Sequence, residues 1–149
     1  MPLELLHALT GSDRMELHVA MREGSETAFA KYGAFGVGSR DEKFVLSVDE
    51  YAEKSTAGES LLYQNGGKWS TIDEDNDTWG GECTVKCNGP GWHKACQRSN
   101  PLGGYGSTEF CRGINWRTFK HKTISLDYIE YLVRPNPCLS GASKYCSHC

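Results

Sequence analysis

Alternating apolar and polar residues predict that the first part of the chain forms a β-sheet. The stretch 15–21 reads M-E-L-H-V-A-M, with an apolar residue at every second position, as in a strand with one buried face. Residues 27–37 are aromatic and small and predict a second strand, and 43–48 predict a third. Turn residues separate these stretches, so we expect an antiparallel meander. One face of the third strand is expected to carry Phe44, Leu46 and Val48.

The regular pattern weakens after residue 50. Residues 51–58 are polar and predict the start of a short helix, and the sequence Q-N-G-G at 64–67 is a strong turn signal. Two last strands are predicted at 113–119 and 124–133. One face of the last strand is expected to carry Ile124, Leu126 and Tyr128.

Composition places the protein among single globular domains. It has 149 residues, of which 38% are hydrophobic and 23% charged, and its 17 glycines favour a loop-rich fold that leans towards strands. The net charge of −3 and the lack of a basic run give no reason to expect a nucleic-acid partner. No apolar run is long enough to span a bilayer.

Seven cysteines indicate an oxidising compartment, and hence a secreted protein. The first ten residues, M-P-L-E-L-L-H-A-L-T, lack a basic region and do not predict a signal peptide. We therefore expect that the chain starts inside a longer secreted protein or has lost its leader. An odd number of cysteines leaves at least one free or bound to another chain.

Three aspartates at every second position predict either a cation site or an acidic, solvated turn. Asp73, Asp75 and Asp77 would repel one another unless a cation neutralises them, and calcium is the hard cation that oxygen ligands suit best. The site is not an EF-hand, because Thr78 and Thr84 stand where such a loop needs Gly and Glu. A Gly- and Pro-rich segment that follows, C-x12-C, is typical of a disulfide-closed loop.

Several ordered motifs resemble the fibrinogen C-terminal (fibrinogen-related) domain. They are F-x-V-x-S-x-D-E-K-F-V-L-S-V-D-E-Y, A-G-E-S-L, N-G-G-K-W-S-T-I-D-E-D-N-D, the C-x12-C loop, S-N-P-L-G-G-Y, G-I-N-W-R-T-F-K and Y-L-V-R-P, spread over residues 6–135. The resemblance implies an α+β fold in which a central antiparallel sheet is followed by a loop-rich calcium- and ligand-binding subdomain. Residues 1–135 would form this domain and 136–149 a cysteine-containing tail.

The same resemblance implies that one part of the family's domain is missing. Relatives begin with a cysteine-containing subdomain, and this protein enters just after it, at L-L-H-A-L-T. A sheet edge that this part covers in relatives is then expected to be exposed or to meet another chain.

The resemblance assigns roles within the acidic stretch. Its calcium site uses two aspartate side chains and two backbone carbonyls, which here would be Asp75 and Asp77 with the carbonyls of Trp79 and Gly81. Asp73 would then be a supporting acid that holds the loop. Calcium is the one cofactor expected.

The resemblance also implies a disulfide, Cys83–Cys96, a cis peptide bond at Ala95–Cys96 and an adjoining ligand pocket. The pocket takes an N-acetyl group in ficolin-like lectins and a peptide amino terminus in fibrinogen. Here the pocket departs from the pattern, because Gly91 replaces a tryptophan and cysteines stand at two further pocket positions. A second disulfide, Cys87–Cys111, is therefore expected to close or reshape it. The remaining candidates for ligand contact are Trp92, Gln97, Tyr105 and Phe110.

These features predict an extracellular recognition domain without catalytic residues. Its expected ligand is a carbohydrate or acetylated surface, or a protein partner, in innate immunity or adhesion. The alternative is a structural module that assembles disulfide-linked oligomers or matrix. The tail sequence C-x7-C-x2-C could also offer zinc thiolates, although no fourth ligand is evident, and disulfide pairing explains it better.

Overall fold

A computed structural model describes residues 2–136. Its helices are α1 (Leu3–Ser12) and α2 (Cys83–Cys87), with a 3-10 turn at Leu62–Gln64. The strands, in sequence order, are β1 (Met15–Glu23), β2 (Glu26–Val37), β3 (Leu46–Tyr51), β4 (Lys68–Ser70), β5 (Gly91–His93), β6 (Ser99–Asn100), β7 (Asn115–Trp116) and β8 (Tyr128–Pro135). The tail cysteines Cys138, Cys146 and Cys149, and the pairing or zinc binding considered for them, lie outside the described residues.

A four-stranded antiparallel sheet in the order β3-β2-β1-β8 forms one half of the molecule. We call these four strands the sheet half and residues 52–127 the loop half. The predicted α+β class with a central antiparallel sheet is confirmed. The first two strands lie close to their predicted positions, because their alternating residues bury one face completely, as Leu17, Val19 and Met21 show.

An irregularity in the pairing of β1 with β2 keeps the apolar face continuous. The register shifts between Met15 and Leu17, opposite Gly33 in β2. Before the shift the buried residues of β2 are even-numbered, as Tyr32 is, and after it they are odd-numbered, as Phe35 is. An extra residue in one strand explains this change of face, and the core therefore extends along the whole of β2.

The third strand begins later than the sequence predicts. Lys43 and Phe44 have φ angles of 57° and 50° and belong to a turn, so β3 starts at Leu46. The prediction that Phe44 shares a strand face with Leu46 and Val48 is therefore wrong, because Phe44 precedes the strand. Leu46 and Val48 are buried in the core. Positive φ is uncommon for residues other than glycine, and the apolar pattern gives no sign of it.

The last strand is also displaced, and its faces differ from the prediction. It starts at Tyr128 and turns Ile129, Tyr131 and Val133 towards the core. Leu126 is fully buried but precedes the strand, held by its N–H, which donates to the carbonyl of Ile114 at 2.7 Å. The predicted strand at 113–119 is reduced to the two residues of β7. Residues 51–58 form no helix.

The loop half contains little regular structure and packs on the sheet through a few large side chains. Trp116, Leu61 and Leu126 are fully buried and extend the sheet core. The side chain of Gln64 joins separate segments, because its Nε2 donates to the carbonyl of Trp92 and its Oε1 accepts the N–H of Ser99. That oxygen also accepts the N–H of the residue before Ser99, at 3.1 Å.

The two edges of the sheet differ. The outer edge of β3 is covered by the segment 65–67, since Leu46 exchanges backbone hydrogen bonds with Gly66 and Gly67. Within residues 2–136, no strand pairs with the outer edge of β8. We expected one edge of the sheet to be exposed, and in the described part of the protein that edge is β8. The side chains of Tyr128 and Leu132 in this strand are also exposed.

Candidate functional site

The acidic stretch folds as a loop in which two of the acids have local partners. The Thr71 hydroxyl donates to the Asp73 carboxylate at 2.7 Å, and this hydrogen bond lowers the pKa of Asp73. Glu74 pairs with the ammonium of Lys43 at 2.5 Å, and this contact lowers the pKa of Glu74. Both contacts tie the loop to itself and to the turn before β3. Asp73 is therefore held by a contact within its own loop.

The other two acids fix the backbone of the same loop. Asp75 accepts the N–H of Asp77 at 3.1 Å, and Asp77 accepts the N–H of Trp79 at 2.8 Å through its Oδ1. The second oxygen of Asp77 accepts the N–H of Cys83 at 2.8 Å, at the start of α2. Within residues 2–136, neither carboxylate has a cationic side chain within 4.0 Å.

The proposed calcium ligands are compatible with that ion. In the described residues, the carbonyls of Trp79 and Gly81 accept no hydrogen bond, so both oxygens are free to coordinate. Carboxylate and carbonyl oxygens are the donors that calcium prefers, and uncompensated carboxylates favour a cation. No group of three His, Cys, Asp or Glu side chains is placed to hold a metal in residues 2–136. A calcium ion here would thus rely on two aspartates, backbone carbonyls and water.

The first disulfide joins the end of the acidic loop to the segment after β5. Cys83 and Cys96 are bonded, with their Cα atoms 5.4 Å apart. The peptide bond Ala95–Cys96 is cis, as the resemblance implied. The Tyr63 hydroxyl donates to the carbonyl of Ala95 at 3.1 Å. The N–H of Thr78 donates to the carbonyl of Lys94 at 3.2 Å, so the acidic loop and the cis-peptide loop are one connected unit.

The second expected disulfide, Cys87–Cys111, is also present, and both of its residues are buried. Three carboxamide groups surround it. The nitrogens of Gln97, Asn100 and Asn115 all donate to the carbonyl of Cys111, at 3.3, 3.1 and 3.4 Å. Cys111 itself has a φ of 62°. The place where the resemblance expects an open pocket thus holds a disulfide and a buried amide cluster.

The four candidate ligand residues do not share one surface. Gln97 is 1% exposed and belongs to the amide cluster. Trp92 is 7% exposed and lies in the core, where it packs edge-on against Trp69 and donates to the carbonyl of Phe44. Tyr105 and Phe110, by contrast, are 72% and 57% exposed. Two of the four are therefore accessible to a ligand and two are structural in this conformation.

His93 is a buried side chain next to this unit. Its Nε2 lies 2.8 Å from the carbonyl of Gly89, while its Nδ1 has no partner within residues 2–136. Burial lowers the pKa of His93, and the hydrogen bond with Gly89 and then the negative charges of Asp77 and Asp75 oppose that shift only in part. The histidine is a core residue, consistent with a structural role.

Sequence reasoning missed a group of basic side chains beside the cis-peptide loop. Lys122 is half-buried and donates to the carbonyl of Gln97. Burial, and then the nearby charges of Arg117, Arg98 and Lys86, lower its pKa to about 8. These residues are scattered over 37 positions of the sequence, and the pattern offered no signal that the fold brings them together.

Comparison with known proteins finds the same domain over most of the chain. A family model described as the C-terminal globular domain of fibrinogen beta and gamma chains matches residues 1–136. Chicken tenascin is 38% identical over 134 residues, which cover 90% of this chain and 7% of that protein. Human tenascin-N is 38% identical over 136 residues, or 90% of this chain and 10% of that protein. The chain thus spans a tenth or less of these two relatives.

Solved structures show the same fold. The fibrinogen-like globe domain of human ANGPTL2 superposes with a TM-score of 0.84 at 30% identity, over 91% of this chain and 64% of that one. Lamprey fibrin D-dimer, complexed with the peptide Gly-His-Arg-Pro-amide, superposes with a TM-score of 0.84 at 22% identity, over 90% and 49%. Within residues 2–136, no helix is both long and apolar enough to cross a bilayer.

Proposed function

The protein belongs to the family of C-terminal globular domains found in the beta and gamma chains of fibrinogen, and from that premise we propose that it is an extracellular, non-enzymatic recognition domain that binds a protein partner and is stabilised by calcium. Adhesion is the setting that we favour, with tenascins among its relatives. Two disulfides support an oxidising, extracellular location.

The buried Cys87–Cys111 disulfide is the main observation in favour of a protein ligand. It lies at the two positions where an open pocket would need free side chains, and Gln97 turns into the amide cluster behind it. A small acetyl group would have to displace this packed unit. A protein partner instead needs only exposed side chains, and Tyr105 and Phe110 supply a large exposed aromatic area.

Calcium is proposed as a structural ion. Asp75 and Asp77 would bind it with the carbonyls of Trp79 and Gly81, and the ion would neutralise two carboxylates that lack ionic partners in residues 2–136. The hydrogen bond from the Cys83 N–H to Asp77 connects this loop to the disulfide. Bound calcium would therefore order the recognition surface without taking part in any reaction.

The carbohydrate or acetylated ligand is the competing interpretation, and one experiment separates the two. The folded, oxidised domain is passed over N-acetylglucosamine resin and, in parallel, over arrays of purified matrix proteins and cell-surface ectodomains, with calcium present. We expect no specific retention on the resin. We expect saturable binding to a defined protein, reduced by the double variant Tyr105→Ala/Phe110→Ala.

A matched control for the double variant comes from strand β8 of the sheet half. Tyr128→Ala/Leu132→Ala removes two exposed apolar side chains from β8 and should leave binding unchanged. Retention on the resin that free N-acetylglucosamine competes away would overturn the protein-partner proposal in favour of a lectin.

The unpaired outer edge of β8 favours a second candidate, an assembly module. An uncovered strand edge offers backbone N–H and C=O groups to another chain, and seven cysteines leave at least one without an intrachain partner. A ladder of disulfide-linked species on a non-reducing gel, from protein secreted under oxidising conditions, would support assembly. A single monomer band would support the recognition domain.

A further inference from the structure

Four basic side chains lie beside the cis-peptide loop, and we call them the basic cluster: Lys86, Arg98, Arg117 and Lys122. The charges of the first three act on the fourth. The short ladder of β6 with β7 creates part of this arrangement. Ser99 pairs with Trp116, and the N–H of Arg117 donates to the carbonyl of Arg98 at 2.9 Å. Arg98 and Arg117 therefore lie next to each other on two neighbouring segments.

Lys122 lies at the centre of the cluster. Its ammonium donates to the carbonyl of Gln97, and its own carbonyl accepts the N–H of Cys111 at 3.0 Å. The lysine is thus fixed against the backbone between the two disulfides. It is half-buried, and the like charges of the other three cations act on it.

Aromatic rings hold three of the four cations in place. The guanidinium of Arg98 lies over Tyr63 at 4.7 Å, and the ammonium of Lys86 lies over Trp79 at 4.1 Å. The ammonium of Lys122 lies 5.5 Å from the ring of Phe110. Cation–π contacts restrict long side chains, so less ordering is needed when an anion binds.

The cluster has no acidic partner in the described part of the protein. No carboxylate of residues 2–136 lies within 4.0 Å of any of the four cations, although Arg112 and Lys120 nearby do form ion pairs. Burial and the surrounding cations hold the pKa of Lys122 at about 8. Like charges brought together without a counterion cost free energy, which a bound anion would recover.

We propose that the basic cluster binds an acidic segment of a polypeptide, whose carboxylate side chains pair with the two arginines and two lysines. This inference rests on the proposed function and names the chemistry of the protein partner. Arginine favours carboxylates through paired N–H donors, and Arg98 and Arg117 present two such groups together. Phe110, whose ring lies 5.5 Å from the Lys122 ammonium, then supplies an apolar part of the same surface.

A short acidic segment fits this surface better than a long sulfated polysaccharide. The acidic loop that carries Asp75 and Asp77 lies next to the cluster, since it also carries Trp79, whose ring contacts the Lys86 ammonium. The exposed carboxylate of Glu109, the residue before Phe110, pairs with Arg112. A long polyanion laid across the cluster would meet these carboxylates and be repelled, whereas a few acidic residues would not.

The test uses the folded, oxidised domain and a fluorescent tetra-glutamate peptide. Binding is measured by anisotropy, with calcium present and at two salt concentrations. We expect saturable binding that weakens as salt increases. The double variant Arg98→Gln/Arg117→Gln should weaken it about tenfold or more, because charged groups at an interface govern association.

A matched control separates the cluster from the total charge of the protein. Lys54→Gln/Lys68→Gln also removes two positive charges, from exposed lysines outside the cluster, and should change tetra-glutamate binding little. Circular dichroism and a disulfide map of each variant establish that it is folded and correctly oxidised.

Three results would overturn the inference: no binding of tetra-glutamate, equal weakening by the two double variants, or binding of a heparin decasaccharide in place of tetra-glutamate. None of them depends on the N-acetylglucosamine resin. The two proposals can therefore fail separately. Retention on that resin would contradict the proposal that the ligand is a protein, whereas the peptide assay tests only whether the basic cluster binds acidic residues.

Discussion

In the sheet half, Leu17, Val19 and Met21 are buried against other apolar side chains, and the backbone is held by its own strand pairing. The loop half buries a different kind of residue. Its buried side chains include many polar ones: Ser60, Gln64, Ser70, Thr84, His93, Gln97, Ser99, Asn100 and Asn115. Within residues 2–136, all of these except Thr84 and Ser99 hydrogen-bond to backbone groups.

The difference has a physical reason. Strands satisfy each other's N–H and C=O groups, so their side chains can be apolar, whereas irregular backbone needs side chains or cross-links to satisfy and position it. Two disulfides and a set of amide side chains do this in the loop half. The loop half can therefore present uncommon backbone shapes at a binding surface, while the sheet half serves as its support.

The strongest test of this comparison removes apolar volume from the sheet. Leu17→Ala should lower the free energy of unfolding by about 2–5 kcal/mol, because it leaves a cavity under a fully buried side chain. Leu132→Ala, at a 48% exposed position on β8, should change it by only about 0.5 kcal/mol. Denaturant unfolding measures both. Equal effects would mean that the sheet core is not the main support.

The second test removes a cross-link from the loop half. Cys87→Ala/Cys111→Ala should lower the free energy of unfolding by about 3 kcal/mol, because the unfolded chain regains the freedom of the closed loop. Hydrogen exchange should accelerate between residues 83 and 126 while β1 and β2 stay protected. Acceleration spread evenly over the sheet would show that the halves are not separately held.

The third test removes the ion proposed for the loop half. Calcium at a hundred times its dissociation constant should stabilise the fold by about 2.7 kcal/mol, which chelation would reverse. Asp77→Asn should abolish this gain yet keep an oxygen for the Trp79 N–H, and Asp73→Asn should retain most of it. Thermal unfolding with calcium and with chelator provides the measurement. An unchanged midpoint in the wild-type protein contradicts the calcium proposal.

The smallest expected effect concerns pH and His93. Its pKa is lowered in the folded state, so the unfolded chain binds the proton more readily. The contribution of His93 to the free energy of unfolding is complete at pH values above its pKa in the unfolded chain, which is about 6.5. It decreases as the pH falls below that value, until the pKa of the folded state is reached. His93→Gln should flatten this part of the stability profile. NMR titration of the histidine in the folded protein gives the direction independently, and a raised pKa would be the contrary result.

Local sequence pattern predicted the sheet half better than the loop half. The first strand follows from alternation and the second from its aromatic and small residues, because each buries apolar side chains along its length. The start of β3 was misplaced since the left-handed turn at Lys43 and Phe44 leaves the apolar pattern unchanged. Leu126 was assigned to a strand because it is apolar, but its burial depends on packing against distant segments.

The candidate site was predictable only where its residues are close in sequence. The repeat of Asp73, Asp75 and Asp77 is visible without a structure, and the resemblance supplied their separate roles. The helices α1 and α2 were not predicted, although Leu3 and Leu6 have helical spacing. The basic cluster could not be predicted, because the β6–β7 ladder and the disulfides bring its members together.

Gln64 shows how one buried amide restricts the sequences that this fold accepts. Its carboxamide donates to the carbonyl of Trp92 and accepts hydrogen bonds from two backbone N–H groups. It therefore supplies hydrogen bonds that a neighbouring strand would supply in a sheet. Glutamate would keep the acceptor and lose the donor, and asparagine would be one methylene too short. In a deep mutational scan this buried polar position should therefore tolerate fewer substitutions than most apolar positions of the sheet.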